Sequence, residues 1–351
     1  LLLSVIFEGA AQSPPWAHFT VKAGAYDREN TPVSAGLTGL GADLSAAEWE
    51  LIEVREGQKI PQPFQVIPGD PLRIAWILTG KTPAGSERRF EFMQTVEMKE
   101  AASSGVQVRK DKGAVQIRID GKEVLDYAYE PPPLPEGVSD LYIRDGFIHP
   151  LWSPKGEVLT RIQPPDHYHH YGLWNPWTRT ESEGRKIDYW NLYEGQGTVR
   201  TKAVPSLVSG PVFGGFSALH EHIDLTAPDP SGRKTMLNEI WEVKVWNADP
   251  DNKIWLVDFT SRMNPATDSL FTIEAYRYQG FGLRATEKWD DQSARLLTSE
   301  GKDKSTGNAT RARWCDVNGL SAFGTSGILF MTHPHNHNFP EQLRIWPTGA
   351  N

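Results

Sequence analysis

The stretch GAVQIRIDGKEVLDYAY, residues 113–129, alternates apolar and polar side chains on either side of an Asp120-Gly121 pair. Val115, Ile117 and Ile119 fall on one face, the period of a half-buried strand. Asp-Gly suits a two-residue turn at positive φ, so the stretch reads as a hairpin. A lone hairpin is not stable in water, so it needs further strands beside it. The pattern returns in LNEIWEVKVWNADPDNKIWLVDFTSRM, residues 237–263, where Trp241, Val243 and Val245 share a face, as do Trp255, Val257 and Phe259. Further strands are expected near 17–24, 72–79, 88–98, 156–162, 216–226, 270–278, 311–317 and 326–332. Helical periodicity is scarce; its best instance is SAAEWELIEV, residues 45–54, which also reads as the entry to a strand. Many strands with Gly- and Pro-rich connections predict an all-β chain built of sandwiches or barrels.

A soft boundary at KEAASSG (99–105) divides it. Residues 14–100 read as a small N-terminal β-sandwich or barrel module, and 105–351 as a large antiparallel β-sandwich. The Pro-rich EPPPLPEG (130–137) reads as a rigid excursion within the second domain. Leu1–Phe7 with Gly9-Ala10-Ala11 resemble the end of a secretory signal, leaving residues 1–13 as its remnant and predicting a secreted or periplasmic bacterial protein. LRIWPTGAN at the other end resembles the start of another β segment, as in a sequence cut at its C-terminus. No later run is apolar enough for a membrane helix. The net charge is −8 with no basic stripe, which argues against a nucleic-acid partner. Cys315 is the sole cysteine, so no disulfide forms within the chain, and it reads as a small buried residue.

Histidine is the residue whose distribution asks for a function. Nine of the ten fall in four places: His149; His167, His169 and His170; His220 and His222; His333, His335 and His337. In an extended segment His167 and His169 would point one way and His170 the other, and His220 and His222 would share a strand face. H-x-H pairs on strands suit a divalent metal, zinc, iron or copper. Without metal, imidazoles move protons near neutral pH. Asp166 stands beside the first group and can fix a neighbouring imidazole's tautomer or serve as a turn residue. Glu242 and Asp258 lie opposite the apolar faces of their hairpin, where an ion pair with Lys244 is expected. Thirteen tryptophans serve either core packing or stacking on sugar rings. There is no H-E-x-x-H, Walker loop, strand-borne G-x-G-x-x-G or G-x-S-x-G.

The block IRDGFIHPLWSPKGEVLTRIQPPDHYHHYGLWNPWT carries a family likeness. It resembles the exported bacterial family labelled PmoA, or methane oxygenase PmoA, whose pattern is F-x-H-P-L, P-x-G, L-T and D-H-x-x-H-H-G-L-W. The matching residues are Phe147, His149, Pro150 and Leu151; Pro154 and Gly156; Leu159 and Thr160; Asp166, His167, His170, Gly172, Leu173 and Trp174. Where the family has H-H-G, this chain has His169-His170-Tyr171-Gly172. DYWN (188–191), GFGLR (280–284) and HPHNHNFP (333–340) are similar to later elements. A true particulate methane oxygenase subunit would need membrane helices, and the sequence has none. The resemblance implies a galactose-mutarotase-like β-supersandwich among polysaccharide-degradation proteins.

Histidine clustering and resemblance together give an expected site. His149 and His170 act as acid and base, with Asp166 orienting an imidazole. Trp174, Trp190, Asn191, Tyr278, Arg284, Arg144 and Asn336 bind substrate. His167, His169 and His333 orient it or hold one divalent metal (Zn, Fe, Cu or Ca). The expected activity is a lyase or hydrolase acting on an oligo- or polysaccharide. The alternatives are a metal-dependent H-x-H oxygenase of cupin type and a non-catalytic glycan-binding module.

Overall fold

Asp120 and Gly121 both adopt positive φ, 49° and 80°, and the hairpin read from the sequence forms around them. The computed structural model describes residues 16–37, 49–95 and 105–346. The expected signal segment and the first four residues of the candidate helix at 45–54 lie outside the described residues; residues 49–54 are strand, not helix. The regular structure is nearly all β, arranged as antiparallel sheets in a sandwich-like manner. No helix among the described residues is long and apolar enough to cross a membrane.

The chain divides into two units. The smaller holds β1 (Ala17–Lys22), β2 (Arg28–Leu37), β3 (Trp49–Arg55), β4 (Gln58–Gln62), β5 (Phe64–Ile67), β6 (Leu72–Thr82) and β7 (Glu87–Gln94). One sheet runs β1-β7-β3-β4 and the other β2-β6-β5. Leu51, Phe90 and Phe92 from the first and Leu37, Ile74, Trp76 and Leu78 from the second form one buried core. Gly210–Phe213 and Trp246–Pro250 belong to this unit too. There Gln65 Oε1 accepts from the backbone amides of Val212 and Phe213.

The larger unit is a sandwich of two main sheets. The first runs β20 (Gly282–Leu283), β12 (Leu173–Trp174), β11 (Phe147–Leu151), β10 (Lys122–Ala128), β9 (Ala114–Ile119) and β8 (Val106–Asp111). The second runs β15 (Gly197–Val208), β16 (Phe213–Asp224), β17 (Lys234–Trp246) and β18 (Leu256–Pro265). Two three-stranded sheets complete it: β14 (Arg185–Ile187), β13 (Thr180–Ser182) and β19 (Phe271–Ile273); and β21 (Arg295–Thr298), β22 (Trp314–Ser321) and β23 (Gly324–Met331). Val115, Ile117, Ile119 and Tyr127 meet Phe216, Ala218, Trp241, Val243 and Val245 in its core. The strand expected at 156–162 forms only single bridges, at Val158, Thr160 and Ile162. That expected at 270–278 shrinks to three residues.

The core changes character along its strands. On the inward face of β16, Phe216 and Ala218 give way to His220, His222 and Asp224, all buried. On β17, Trp241 gives way to Glu239, which is 1% exposed. A buried carboxylate needs donors, since leaving water costs it several kcal/mol, of order 5 or more when unpaired. Glu239 has four: His222 Nε2 at 2.9 Å on one oxygen, and Asn175 Nδ2 at 2.6 Å, Trp241 Nε1 at 2.7 Å and the Ser261 hydroxyl on the other. Burial pushes its pKa up, but His220 and His222 outweigh this and hold it well below the usual range. His220 Nε2 in turn bonds the Tyr127 hydroxyl, which also meets Thr201. The network ties β10, β15, β16, β17 and β18 together. Glu239→Ala would orphan at least three buried donors, so we expect a loss of about 3–5 kcal/mol in urea unfolding. Glu239→Gln should lose less. A Glu239→Ala chain within about 1 kcal/mol of the parent would show that the network is not a stabilising hub.

Candidate functional site

Pro164 and Pro165 precede the histidine group, and the chain turns there instead of extending. The His167 amide donates to the Pro164 carbonyl and the His170 amide to the His167 carbonyl, each at 2.9 Å. A bridge between Ile162 and Tyr171 closes the loop at its base. The expected strand geometry, with His170 facing away, is therefore corrected. Two successive turns bring all three rings together: His167 stacks on His170 with centroids 4.6 Å apart, and His169 meets His170 edge-on at 4.6 Å. Gly172 makes the exit possible. Its φ is +55°, and a Cβ there would stand 2.2 Å from the Ile148 carbonyl oxygen.

Arg284 organises this loop. Its amide donates to the Gly172 carbonyl at 2.7 Å, and its carbonyl accepts from Arg161 at 3.1 Å, which fixes the backbone. The side chain is 2% exposed. Nη2 donates to both Asp166 oxygens, at 2.8 and 2.6 Å, and Nη1 donates to His170 Nδ1 at 3.2 Å. A guanidinium only donates, so His170 Nδ1 must accept. Neutral His170 then carries its proton on Nε2. Asp166 Oδ2 also accepts from His167 Nδ1 at 2.7 Å. That leaves the lone pair of neutral His167 on Nε2, in a side chain 38% exposed. Partial burial raises the Asp166 pKa, but Arg284 and then His167 overcome this and hold it far below its usual value.

The other imidazoles are kept uncharged. Burial, aided by His169 and Arg284, pushes His170 down to about 2. Burial, aided by His167 and Arg284, pushes His169 down to about 4. Burial alone takes His149 down to about 4. His149 sits on β11 beside the loop exit, where a Cβ on Gly172 would lie 3.0 Å from its own. Its Nδ1 is 2.9 Å from the Thr160 hydroxyl, which also accepts from the Leu151 amide. His149 and His170, the expected acid and base, are thus both held neutral; His170 presents an N–H donor, and His167 keeps the lone pair on its outward Nε2.

Several expected binding residues lie elsewhere or do other work. Trp174 and Trp190 are 2% and 8% exposed and pack with Phe147, Tyr171 and Leu192. They back His170, with centroids 5.0 and 6.0 Å away, and offer no open face to a sugar. Arg144 is 1% exposed, so it is an interior charge that no ligand reaches from solvent. Asn191 is buried and donates to Asp188 at 2.6 Å and to the Tyr278 hydroxyl at 3.2 Å, positioning that ring. His333 lies on an exposed turn, its Nδ1 accepting from the His335 amide at 3.2 Å. Asn336, on the same turn, donates to Glu341. The expected metal set of His167, His169 and His333 does not assemble. Among the described residues no group of three or more His, Cys, Asp or Glu side chains is placed to hold a metal ion.

Two aromatic residues around the loop were not singled out from the sequence. Tyr193 is 51% exposed, with its ring 5.9 Å from His169. Tyr168, half-buried, lies within the loop against Tyr142. On the hairpin, Glu242 pairs with Arg262 at 2.7 Å.

Residues 114–351 match the model of a family of unknown function, DUF6807. The chain belongs to that family. No curated protein and no solved structure matches it. The DUF6807 span holds Asp166, the histidine loop, Arg284 and the Glu239 network, while β1 to β8 precede it.

The neutral imidazoles give this DUF6807 chain a pH signature. An imidazole with folded pKa below its unfolded 6.5 binds its proton more readily when unfolded. Its stabilising contribution is complete above 6.5 and declines as pH falls toward the folded value. Asp126, raised by burial to about 6, opposes this between about 6 and 3.8. Four histidines, His222 included, against Asp126 and the less strongly raised Asp145 and Asp188 leave a net loss, with each group contributing at most about 1.4 kcal/mol per pH unit. Urea unfolding should therefore show falling stability from about pH 6.5 to about 4.5, less steeply in His149→Gln or His169→Gln. A flat profile over that interval would contradict the burial of these rings.

Proposed function

We propose that the chain is an exported carbohydrate-active enzyme in which His167, oriented by Asp166, removes a proton from a sugar. The carrying observation is the 2.7 Å bond from His167 Nδ1 to Asp166 Oδ2, itself held by Arg284. A carboxylate that fixes the tautomer of an imidazole while its other nitrogen faces outward is the arrangement general-base catalysis requires. His170 supplies a neutral Nε2–H beside it. Such a donor stabilises oxygen that gains negative charge, and it holds no proton that neutral water chemistry would release.

This favours elimination over hydrolysis. Glycoside hydrolysis ordinarily uses two free carboxyl groups flanking the bond. Both oxygens of Asp166 are engaged by Arg284. In an elimination, His167 Nε2 takes the proton from the carbon next to a carbonyl or carboxyl group. The glycosidic C–O bond on the adjacent carbon breaks as the double bond forms. His167 then returns the proton to the departing oxygen. The resemblance of His149-Pro150-Leu151 and Asp166–Trp174 to the exported PmoA-labelled family supports a substrate drawn from polysaccharide breakdown.

The test is turnover of a panel of native, oxidised and uronate-containing oligosaccharides, followed by mass spectrometry and by absorbance of the unsaturated product. His167→Ala should lower kcat at least about 100-fold. Asp166→Asn should act in the same direction, and His149→Gln much less. Undiminished kcat in His167→Ala on a saccharide that the parent converts would end this reading.

A further inference from the structure

Beyond the histidine loop, the connection after β19 carries Glu274 to Gly280 and is docked on the segment after β12. The Glu274 amide donates to the Arg179 carbonyl at 2.9 Å, the Gly280 amide to the Pro176 carbonyl at 2.7 Å, and the Thr178 hydroxyl to the Tyr278 carbonyl at 2.8 Å. On this support three arginines lie over three aromatic rings. The Arg179 guanidinium stands 4.5 Å from the Tyr276 ring centre. Arg277 stands 5.8 Å from Tyr276 and 5.6 Å from Tyr278. Arg344 stands 3.7 Å from Trp346, whose ring is 6.0 Å from Tyr278. All three arginines are exposed, and no carboxylate lies within ion-pair distance of them among the described residues.

We propose that this surface is a binding subsite for an anionic saccharide, one bearing carboxylate or sulfate groups. The proposal rests on the carbohydrate reading above and names its substrate class. A guanidinium lying on a ring can turn its N–H edge to a ligand, and that planar edge matches the two oxygens of a carboxylate or sulfate. Arg344 Nη1 already donates to Asn308 Oδ1 at 3.0 Å, so Arg179 and Arg277 carry the recognition. Tyrosine and tryptophan rings alongside offer the apolar face that a sugar stacks on. The subsite lies near the histidines: Tyr278 packs on the buried Trp190 at 5.5 Å, and Trp190 on His170 at 6.0 Å. Carboxylates of the same segments are engaged elsewhere. Asp188 accepts from the Trp190 and Asn191 amides and the Asn191 side chain, and Glu274 lies 3.5 Å from Lys186. A chain of net charge −8 repels a polyanion as a whole, so a local group of cations is what would allow one to dock in register.

Calorimetric titration of the full chain tests this with an oligogalacturonate, its fully methyl-esterified counterpart and a sulfated galactan fragment. The acidic probe should bind more tightly than the ester, with an affinity that falls as salt rises. Arg179→Ala with Arg277→Ala should weaken it at least about tenfold, roughly threefold for each, and leave the ester unchanged. Preference between carboxylate and sulfate probes identifies the anion. If acidic and esterified probes bind alike, or no acidic probe binds, the proposal is overturned. Loss of thermal stability in the double variant with unaltered affinity would overturn it too, by reducing the arginines to ring-packing. The two readings fail separately. Acidic saccharides bound and turned over equally by parent and double variant would leave the His167 chemistry standing and remove the anionic subsite. Acidic saccharide bound but never converted would do the reverse.

Discussion

Arg284 carries a proton it does not release, in a place that gives it almost no water. That constraint shapes everything around it. A buried guanidinium must find acceptors, and it finds both oxygens of Asp166 and one nitrogen of His170. Satisfying Arg284 therefore ionises Asp166 and forbids a proton on His170 Nδ1. Ionised and held, Asp166 has one direction left in which to accept, and His167 Nδ1 fills it. The tautomers of two neighbouring imidazoles are thus set oppositely by one cation: one presents a lone pair and the other a hydrogen. The backbone bonds of Arg284 to Gly172 and Arg161 place the guanidinium at the root of the loop, so loop and cation are positioned by the same ladder.

A second buried charge governs the interior. Glu239 receives donors from His222, Asn175, Trp241 and Ser261, which belong to separate segments. His222 can satisfy it while neutral: burial lowers its pKa against the pull of Glu239. Arg144 lies near enough to influence both Glu239 and His169 electrostatically. It supplies positive potential between the interior carboxylate and the surface imidazoles, and helps keep His169 uncharged. The H-x-H pair on β16 is thereby explained without a metal ion. Its imidazoles face the sandwich core and bond to Glu239 and Tyr127.

The sequence made the architecture legible because strand alternation is local. Val115 to Tyr127 and Trp241 to Phe259 announce which face is buried without knowledge of any partner. The site was legible in part, for the same reason. Asp166, His167, His169 and His170 are near in sequence and stay near in space, but their orientation depended on turns that Pro164 and Pro165 begin. Long-range pairing was legible only where residue type restricted it. Arg284 had to find an acceptor, whereas His333 is as well solvated on a surface turn as in a pocket. The indoles misled because Trp serves core and surface alike. Burial of Trp174 and Trp190 follows from packing behind Gly282, where a Cβ would lie 3.2 Å from each. Nothing in a single chain position records that contact. Tyr193, flanked by Leu192 and Glu194, carried no periodic signal to separate it from core tyrosines.

The proposed proton chemistry at this loop also accounts for the indole that stands behind it. Trp174 and Trp190 exclude water from one side of His170 and deepen the desolvation that holds it neutral. If those walls were wetter, His170 could take a proton on Nδ1 only by losing Arg284 as a donor, and the guanidinium would then repel it. His167, by contrast, lies on the open side of the stack, where the proposed chemistry needs it. The stacked pair thus divides its roles between two identical side chains by burial and by the Arg284–Asp166 pair. The inner ring is a fixed donor, and the outer ring carries its lone pair outward, as the proposed base requires. Exchange of the two roles would require Asp166 to leave Arg284, which would strand a buried cation, so the division is enforced by the same ion pair that holds the loop.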